Sequence, residues 1–507
     1  MLPLKIEKMC VRMGKKMRKH ILSKTTFMRG VQCQKSLYLN KFHPELRNEP
    51  TDDQRMRMET GQKVGKLAQE LFPGGVEVDA GSFESLQDAV SYTQGLIDKG
   101  TPIIYEAGFQ CNEVLIFTDI LVKETGGWTI YEVKSSTSLK TQYILDTAIQ
   151  YYVVSKSGLP VKDISLVYVN NQYVRTNEIA ARALFTIESV LERVLEAQDF
   201  VERTIPVLKR VLRLDDIPSI DIGEYCHDPV DCDFTEYCWS HIPQDSVFAL
   251  TGLQKAKKFQ LYKAGIIKLD QIPDDYPLNE NQRLQVECDR SQSIHIDRNS
   301  IQRFLKGIRS ACYFLDFETY APAVPLYRNS RPYQQIPFQY SLHLKKGEKS
   351  ELEHYEFLGM PHEDPRRELI ARLLGNIGKE GDVIVYNKNF EIRILEELMR
   401  DFPEYEDKLK GIIVRIKDLM LPFAKRYYYS SEMRGSYSIK TVLPVLVPGL
   451  DYSDLTIAGG SSAMYAFEQM LDETSESAIK ETRRNLLEYC KRDTLAMVKV
   501  LEVLEAL

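Results

Sequence analysis

Hydrophobic and polar positions change period several times along the chain, and each change marks an element. In EVLIFTDILVKETGGWTIYEVKSST two apolar runs flank Gly126-Gly127, which predicts two strands joined as a β-hairpin. Asp119 falls on the first strand; Glu132 and Lys134, two apart on the second, share a face. The stretch TQYILDTAIQYYVV that follows predicts a helix and carries Gln150. The short apolar run in CYFLDFET predicts a further strand, on which Asp316 and Glu318 project to the same side. DVIVYNKNFEIRILEELM predicts a strand over Asp382–Tyr386, a turn at Asn387, and a helix whose first turn holds Glu391, where an anion is favoured. The final SAIKETRRNLLEYCKRDTLAMVKVLEVLEAL predicts an amphipathic helix with Tyr489 and Asp493 four apart on one face. FALTGLQKAKKFQLYKAGIIKLDQIP predicts a helix, a turn at Gly265 and a second short helix.

These elements imply a mixed α/β (α+β) chain of several blocks. A basic segment, 1–21, precedes a block of strands and helices over 22–242. A polar helical linker spans 243–306, and 307–507 runs strand, strand, then strands alternating with helices. At 507 residues the chain is too long for one ordinary core. Hydrophobic content of 43% and charged content of 27% are those of a globular protein able to bury one. No apolar run approaches the ~20 residues needed to span a bilayer, and the N-terminus has no apolar signal core, so a cytoplasmic location without membrane contact is expected. The nine cysteines are then thiols or metal ligands rather than disulfides. A net charge of −6 neither advertises nor excludes a nucleic-acid partner, since a local basic surface such as 1–47 can meet phosphates.

Two carboxylates side by side are costly unless a cation neutralises them. Asp316, Glu318, Glu391 and Asp493, with Tyr489, come from three elements. Any one of these acids alone reads as a solvated surface residue; together they suit Mg²⁺ or Mn²⁺, a pair of which activates water in phosphodiester cleavage. Asp119 with Glu132 and Lys134 places two carboxylates and an ammonium around one further ion, although Glu-x-Lys on a strand is by itself a weak signal. Three cysteines within thirteen residues, Cys226, Cys232 and Cys238, suggest a metal group.

The motifs also carry resemblances. Asp316-Phe-Glu318-Thr319, Asn387-Lys-Asn-Phe390-Glu391 and Tyr489-x-x-x-Asp493 resemble the three motifs of the Tyr-bearing (DEDDy) DnaQ-like exonucleases, with Glu391 where Asp is usual. The resemblance implies an RNase H-like fold and 3′-to-5′ exonuclease chemistry. Asp316, Glu318 and Asp493 would bind metal, Glu391 would help hold it, and Tyr489 would orient the attacking water; Lys440 in SYSIKTVLPVLVPGL would approach a phosphate or simply be exposed. Asp119, Glu132-Val-Lys134 and Gln150-Tyr-Tyr resemble the RecB-like branch of the PD-(D/E)XK nucleases, with Gln150 bracing the site. The first-helix His of many members is absent: its place falls near Gly65 or Gln69, and Glu70 and Glu106 are the possible substitutes. Cys33 before this block and Cys226, Cys232 and Cys238 after it are similar to the iron–sulfur staple of CRISPR-adaptation and AddB-type nucleases. That similarity implies a [4Fe–4S] cluster, with a structural Zn²⁺ as the alternative and His227 as a replacement ligand. The whole chain resembles a bacterial group that fuses the two nucleases. A bifunctional nuclease acting on DNA ends or single strands, in repair, recombination or defence, is the expectation. A nucleic-acid-binding or assembly protein with degenerate sites, and an RNA-trimming exonuclease, are the alternatives.

Overall fold

The computed structural model describes residues 21–309, 311–347 and 350–507, so the basic segment 1–21 lies, but for Ile21, outside the described residues. The chain divides into two compact units. One runs up to Ser240 and includes Pro322–Tyr333; the other comprises His241–Ala321 and Gln334–Leu507. Two expected boundaries are thereby corrected. The segment 243–306 belongs to the second unit rather than standing apart as a linker, because its strand β8 (Ile294–Ile296) pairs with Tyr428–Ser430. The loop 322–333 belongs to the first unit, held by Arg175, whose guanidinium donates to Pro325 O at 2.9 Å and Leu326 O at 2.6 Å.

The first unit is built on a seven-stranded mixed sheet. Its strands are β1 (Leu22–Ser23), β2 (Val76–Glu77), β3 (Ile103–Cys111), β4 (Val114–Glu124), β5 (Gly127–Lys134), β6 (Val161–Val169) and β7 (Phe185–Ser189). Their order is β2-β3-β4-β5-β6-β7, with β1 parallel to β4. The expected hairpin forms: β4 and β5 pair antiparallel from Glu124↔Gly127 to Ile120↔Tyr131. Gly126 has φ +93°, and a Cβ on Gly127 would lie 2.7 Å from Pro160 O, so both turn positions require glycine. Side chains alternate between two covered faces. Ile104, Leu121, Ile130 and Leu166 enter one core, while Tyr105, Ile120, Tyr131 and Val167 enter the other. Each such fully buried side chain contributes about 1.5–3 kcal/mol relative to exposure.

The second unit holds a five-stranded sheet: β9 (Cys312–Tyr320), β10 (Ile336–Lys345), β11 (Glu353–Leu358), β12 (Asp382–Val385) and β13 (Ile416–Asp418). The order is β11-β10-β9-β12-β13, antiparallel through β9 and parallel beyond it. A two-stranded ribbon joins β14 (Tyr428–Ser430) to β8. The helix after Gly265 is a single 3₁₀ turn, Leu269–Gln271, shorter than the expected hairpin. Among the described residues no helix is long and apolar enough to cross a membrane.

Candidate functional site

Alternation along β9 sets the first cluster. Tyr313, Leu315 and Phe317 enter the hydrophobic core with Leu342, Leu369 and Val383. Asp316 and Glu318 therefore occupy the other face, beside Ser341 and Gln339 of β10. The helix Glu476–Glu505 lies across that face: Gln339 Nε2 donates to Leu486 O at 2.8 Å, and Ser341 and His343 meet the Thr494 hydroxyl at 2.7 and 2.8 Å. Asp493, next to Thr494, is thereby brought in. One ligand atom from each of Asp316, Glu318 and Asp493 lies within 4.8 Å of the others. Glu391 enters from the helix Lys388–Asp401, whose N-cap Asn387 takes the left-handed conformation (φ +79°) that turns the chain off β12.

The electrostatics are those of acids without enough cations. Burial, then the charge of Asp493, pushes the Asp316 carboxyl well above its ordinary range. Glu318 is raised by burial and then by Asp316 and Asp493; Glu391 is raised by burial and then by Asp316. Asp493 is pushed up to about 6 by burial, against the pull of Tyr452, Lys440 and Tyr489. Glu391 is 1% exposed, and its Oε2 has no hydrogen-bond partner among the described residues. Desolvated oxygen donors of this kind fit a small hard divalent ion.

Tyr489 stands one turn before Asp493 and is buried. Its hydroxyl accepts from Lys440 Nζ at 3.1 Å, and the ammonium lies 4.9 Å from the ring centre. Lys440 also donates to Ala458 O at 2.7 Å, so two of its three donors are held within the unit. Two neighbours escaped sequence reasoning. The Tyr452 hydroxyl donates to Asp493 Oδ1 at 2.6 Å from a loop with no periodic signal. Cys490 is buried and directs Sγ to Asp316 Oδ2 at 3.6 Å.

In the first unit the β4–β5 ladder ends at Ile120↔Tyr131, and the next step of that register sets Asp119 opposite Glu132. There the Asp119 carboxylate replaces the lost ladder bond, its Oδ2 accepting from Val133 N–H at 2.6 Å. Burial, then the charge of Glu132, pushes Asp119 up to about 8. Burial alone would raise Glu132 too, but Lys134 and Lys24 hold it below the carboxylate range. Its Oε1 accepts from Lys24 Nζ at 2.8 Å and Lys134 Nζ at 2.6 Å, and its Oε2 from Gln150 Nε2 at 2.7 Å. Lys134 also pairs with Asp146. Of the possible substitutes for the absent His, Glu70 is exposed. Glu106 takes a left-handed backbone (φ +54°) between the pairs Tyr105↔Ile120 and Ala107↔Thr118, hence across from Asp119. Burial raises its carboxyl, with Lys24 opposing and Glu132 adding. Asp146 and Lys24 are the residues sequence reasoning missed. Asp146 lies one helical turn before Gln150, a legible spacing; Lys24 lies 108 positions from Glu132 and gave no signal. Among the described residues the grouping of three ligand atoms within 4.8 Å occurs in the second unit and not here.

Cys33, Cys226, Cys232 and Cys238 line one small cavity with Ser36, Phe234 and Trp239. All four are free thiols. Burial raises Cys33, Cys232 and Cys238, and the neighbouring cysteines add to it. His227 does not line the cavity; its ring meets Asp231 at 2.7 Å.

A family model described as "Domain of unknown function (DUF2779)" matches residues 313–438, a span that includes Asp316, Glu318 and Glu391 but ends before Tyr489 and Asp493. The chain is similar to "Uncharacterized protein UU173" of Ureaplasma parvum, 28% identical over 237 residues, covering 42% of this chain and 33% of that protein. It is also similar to "Uncharacterized protein MG366" of Mycoplasma genitalium, 26% identical over 220 residues, covering 40% and 33%. The chain thus spans about a third of the length of these relatives.

Proposed function

We propose that the chain is a metal-dependent nuclease with two sites: a DEDDy-type 3′-to-5′ exonuclease in the second unit and a RecB-like PD-(D/E)XK nuclease in the first. The observation that carries this reading is the convergence of Asp316, Glu318 and Asp493, 177 positions apart at the extremes (493 less 316), on one buried point. The order β11-β10-β9-β12-β13 is compatible with the RNase H-like fold that the motifs imply, and the run of three antiparallel strands, helix and parallel strand from β3 to β6 with a PD-(D/E)XK core.

Asp316, Glu318 and Asp493 would hold Mg²⁺ or Mn²⁺, with Glu391 supplying a further oxygen. Divalent ions there supply charge neutralisation and water activation. Lys440 donates to the Tyr489 hydroxyl, which would orient a water against the phosphodiester. Tyr452 holds the Asp493 carboxylate in one rotamer. In the first unit Asp119 and Glu132 would hold the ion, Lys134 would face the developing charge, and Gln150 braces Glu132. The four thiols lining one cavity suit a [4Fe–4S] cluster, with a structural Zn²⁺ as the alternative. Anaerobic purification should then give a brown protein absorbing near ~400 nm; a colourless protein with stoichiometric zinc would reverse that assignment.

A second reading applies to the first unit. Glu132 is already satisfied by two lysines and Gln150, which favours a site that binds nucleic acid without cutting it. End-labelled single- and double-stranded DNA and matched RNA, with Mg²⁺ or Mn²⁺, decide between these. Asp316→Ala should remove 3′-to-5′ degradation, and Lys134→Ala a separate cleavage. Wild-type product ladders from both variants would end the catalytic assignment, and loss with Asp316→Ala alone would leave the first unit as a binding domain.

A further inference from the structure

Glu132 Oε1 carries two ammonium groups and Oε2 one amide, so about one of the four lone-pair positions of the carboxylate remains. Asp119, by contrast, commits Oδ2 to Val133 N–H, and no hydrogen bond to Oδ1 occurs among the described residues. An ion bridging these two acids has access to Asp119 but not to Glu132 Oε1 while both lysines are in place.

The two lysines are not equivalent. Lys134 projects from β5 and is gripped from both sides, by Glu132 and by Asp146. Lys24 is the first residue of the helix Lys24–Gln32, with 23% of its side chain exposed, and Glu132 is its ion-pair partner. The helix itself is anchored. Ser23 caps its start, Arg29 pairs with Asp233 through two hydrogen bonds, and Gln32 Nε2 donates to Tyr225 O at 2.8 Å and Val230 O at 2.6 Å. Release of the Lys24 ammonium therefore needs only rotation of a flexible four-carbon stem toward solvent, with no movement of the backbone.

We propose that Lys24 is an internal counter-cation that holds Glu132 while the first unit carries no divalent ion and is displaced when one binds. The inference rests on reading Asp119 and Glu132 as ligands, and goes beyond it by naming the group an incoming ion must outcompete. Removing a competitor makes binding tighter, whereas removing a residue that helps build the site makes it weaker.

The full-length chain carrying Asp316→Asn, which disables the second unit's cluster, is titrated with Mn²⁺ by electron paramagnetic resonance. Lys24→Met should tighten Mn²⁺ binding at least tenfold, and Lys24→Arg, which keeps a cation on Glu132, should not. Asp119→Asn separates the two ideas. If it leaves Mn²⁺ binding intact, the ligand reading of the first unit fails. If it abolishes binding while Lys24→Met is no tighter than the parent, displacement fails. A measurement on the unmutated protein guards against a misfolded variant: amine acylation read by mass spectrometry should label Lys24 faster in Mg²⁺ than in chelator, and equal labelling overturns the proposal.

Discussion

Replacing Asp493 with Asn should stabilise the second unit when divalent ions are chelated and remove most of the stabilisation those ions give. The Asp493 carboxyl is pushed from 3.8 up to about 6, chiefly by burial. A carboxyl that holds its proton more tightly in the folded state favours folding fully below pH 3.8. It loses that advantage as pH rises through about 6, and above this the buried charge stands at its full cost. The difference corresponds to about 3 kcal/mol at pH 8. Asn carries no charge but keeps an oxygen for the Tyr452 hydroxyl, now bonded at 2.6 Å. The gain of about 3 kcal/mol shifts Tm upward by about 6–12 °C in a unit of this size. Mn²⁺ at about a hundred times its Kd adds about 2.7 kcal/mol to the wild type and far less to the variant, which lacks one ligand. Thermal unfolding of both proteins at pH 8, in chelator and in Mn²⁺, reads all four numbers. A lower Tm for Asp493→Asn in chelator, or an undiminished Mn²⁺ shift, would refute the account of these acids as a charge cluster awaiting a cation.

Tyr489→Phe removes the hydroxyl that meets Lys440 while leaving the carboxylates in place. It should lower 3′-to-5′ turnover by about 10²-fold with Mn²⁺ affinity nearly unchanged, as single-turnover kinetics and metal titration would show. Burial, with His354 and Lys491 adding, drives the His343 imidazole down to about 3, so the folded unit binds this proton less well than the unfolded chain. The stability involved is whole above pH 6.5 and is lost as pH falls toward 3; His343→Gln should flatten the urea midpoint against pH across that window, and an unaltered acid limb would count against it. Gly381 precedes β12 with φ +90°, and a Cβ there would lie 2.3 Å from Ala311 O. Gly381→Ala should cost about 1–3 kcal/mol by denaturant unfolding.

The order of acids along the chain determined most of the second unit's site. Asp316 and Glu318 share a face because strand side chains alternate, Tyr489 and Asp493 share one because a helix turns in 3.6 residues, and Asn387 announces the helix that carries Glu391. The same alternation placed Asp119, Glu132 and Lys134, whereas Asp146 was missed although it lies four residues before Gln150. Local periodicity says nothing, however, about which distant segments close on a site. Only the tertiary structure brings Lys24 onto Glu132, Tyr452 onto Asp493 and Cys490 onto Asp316, and only it assigns 243–306 and 322–333 to their units. These contacts are side-chain meetings across long loops, fixed by packing and by the need to pair buried charge, and neither leaves a period in the sequence.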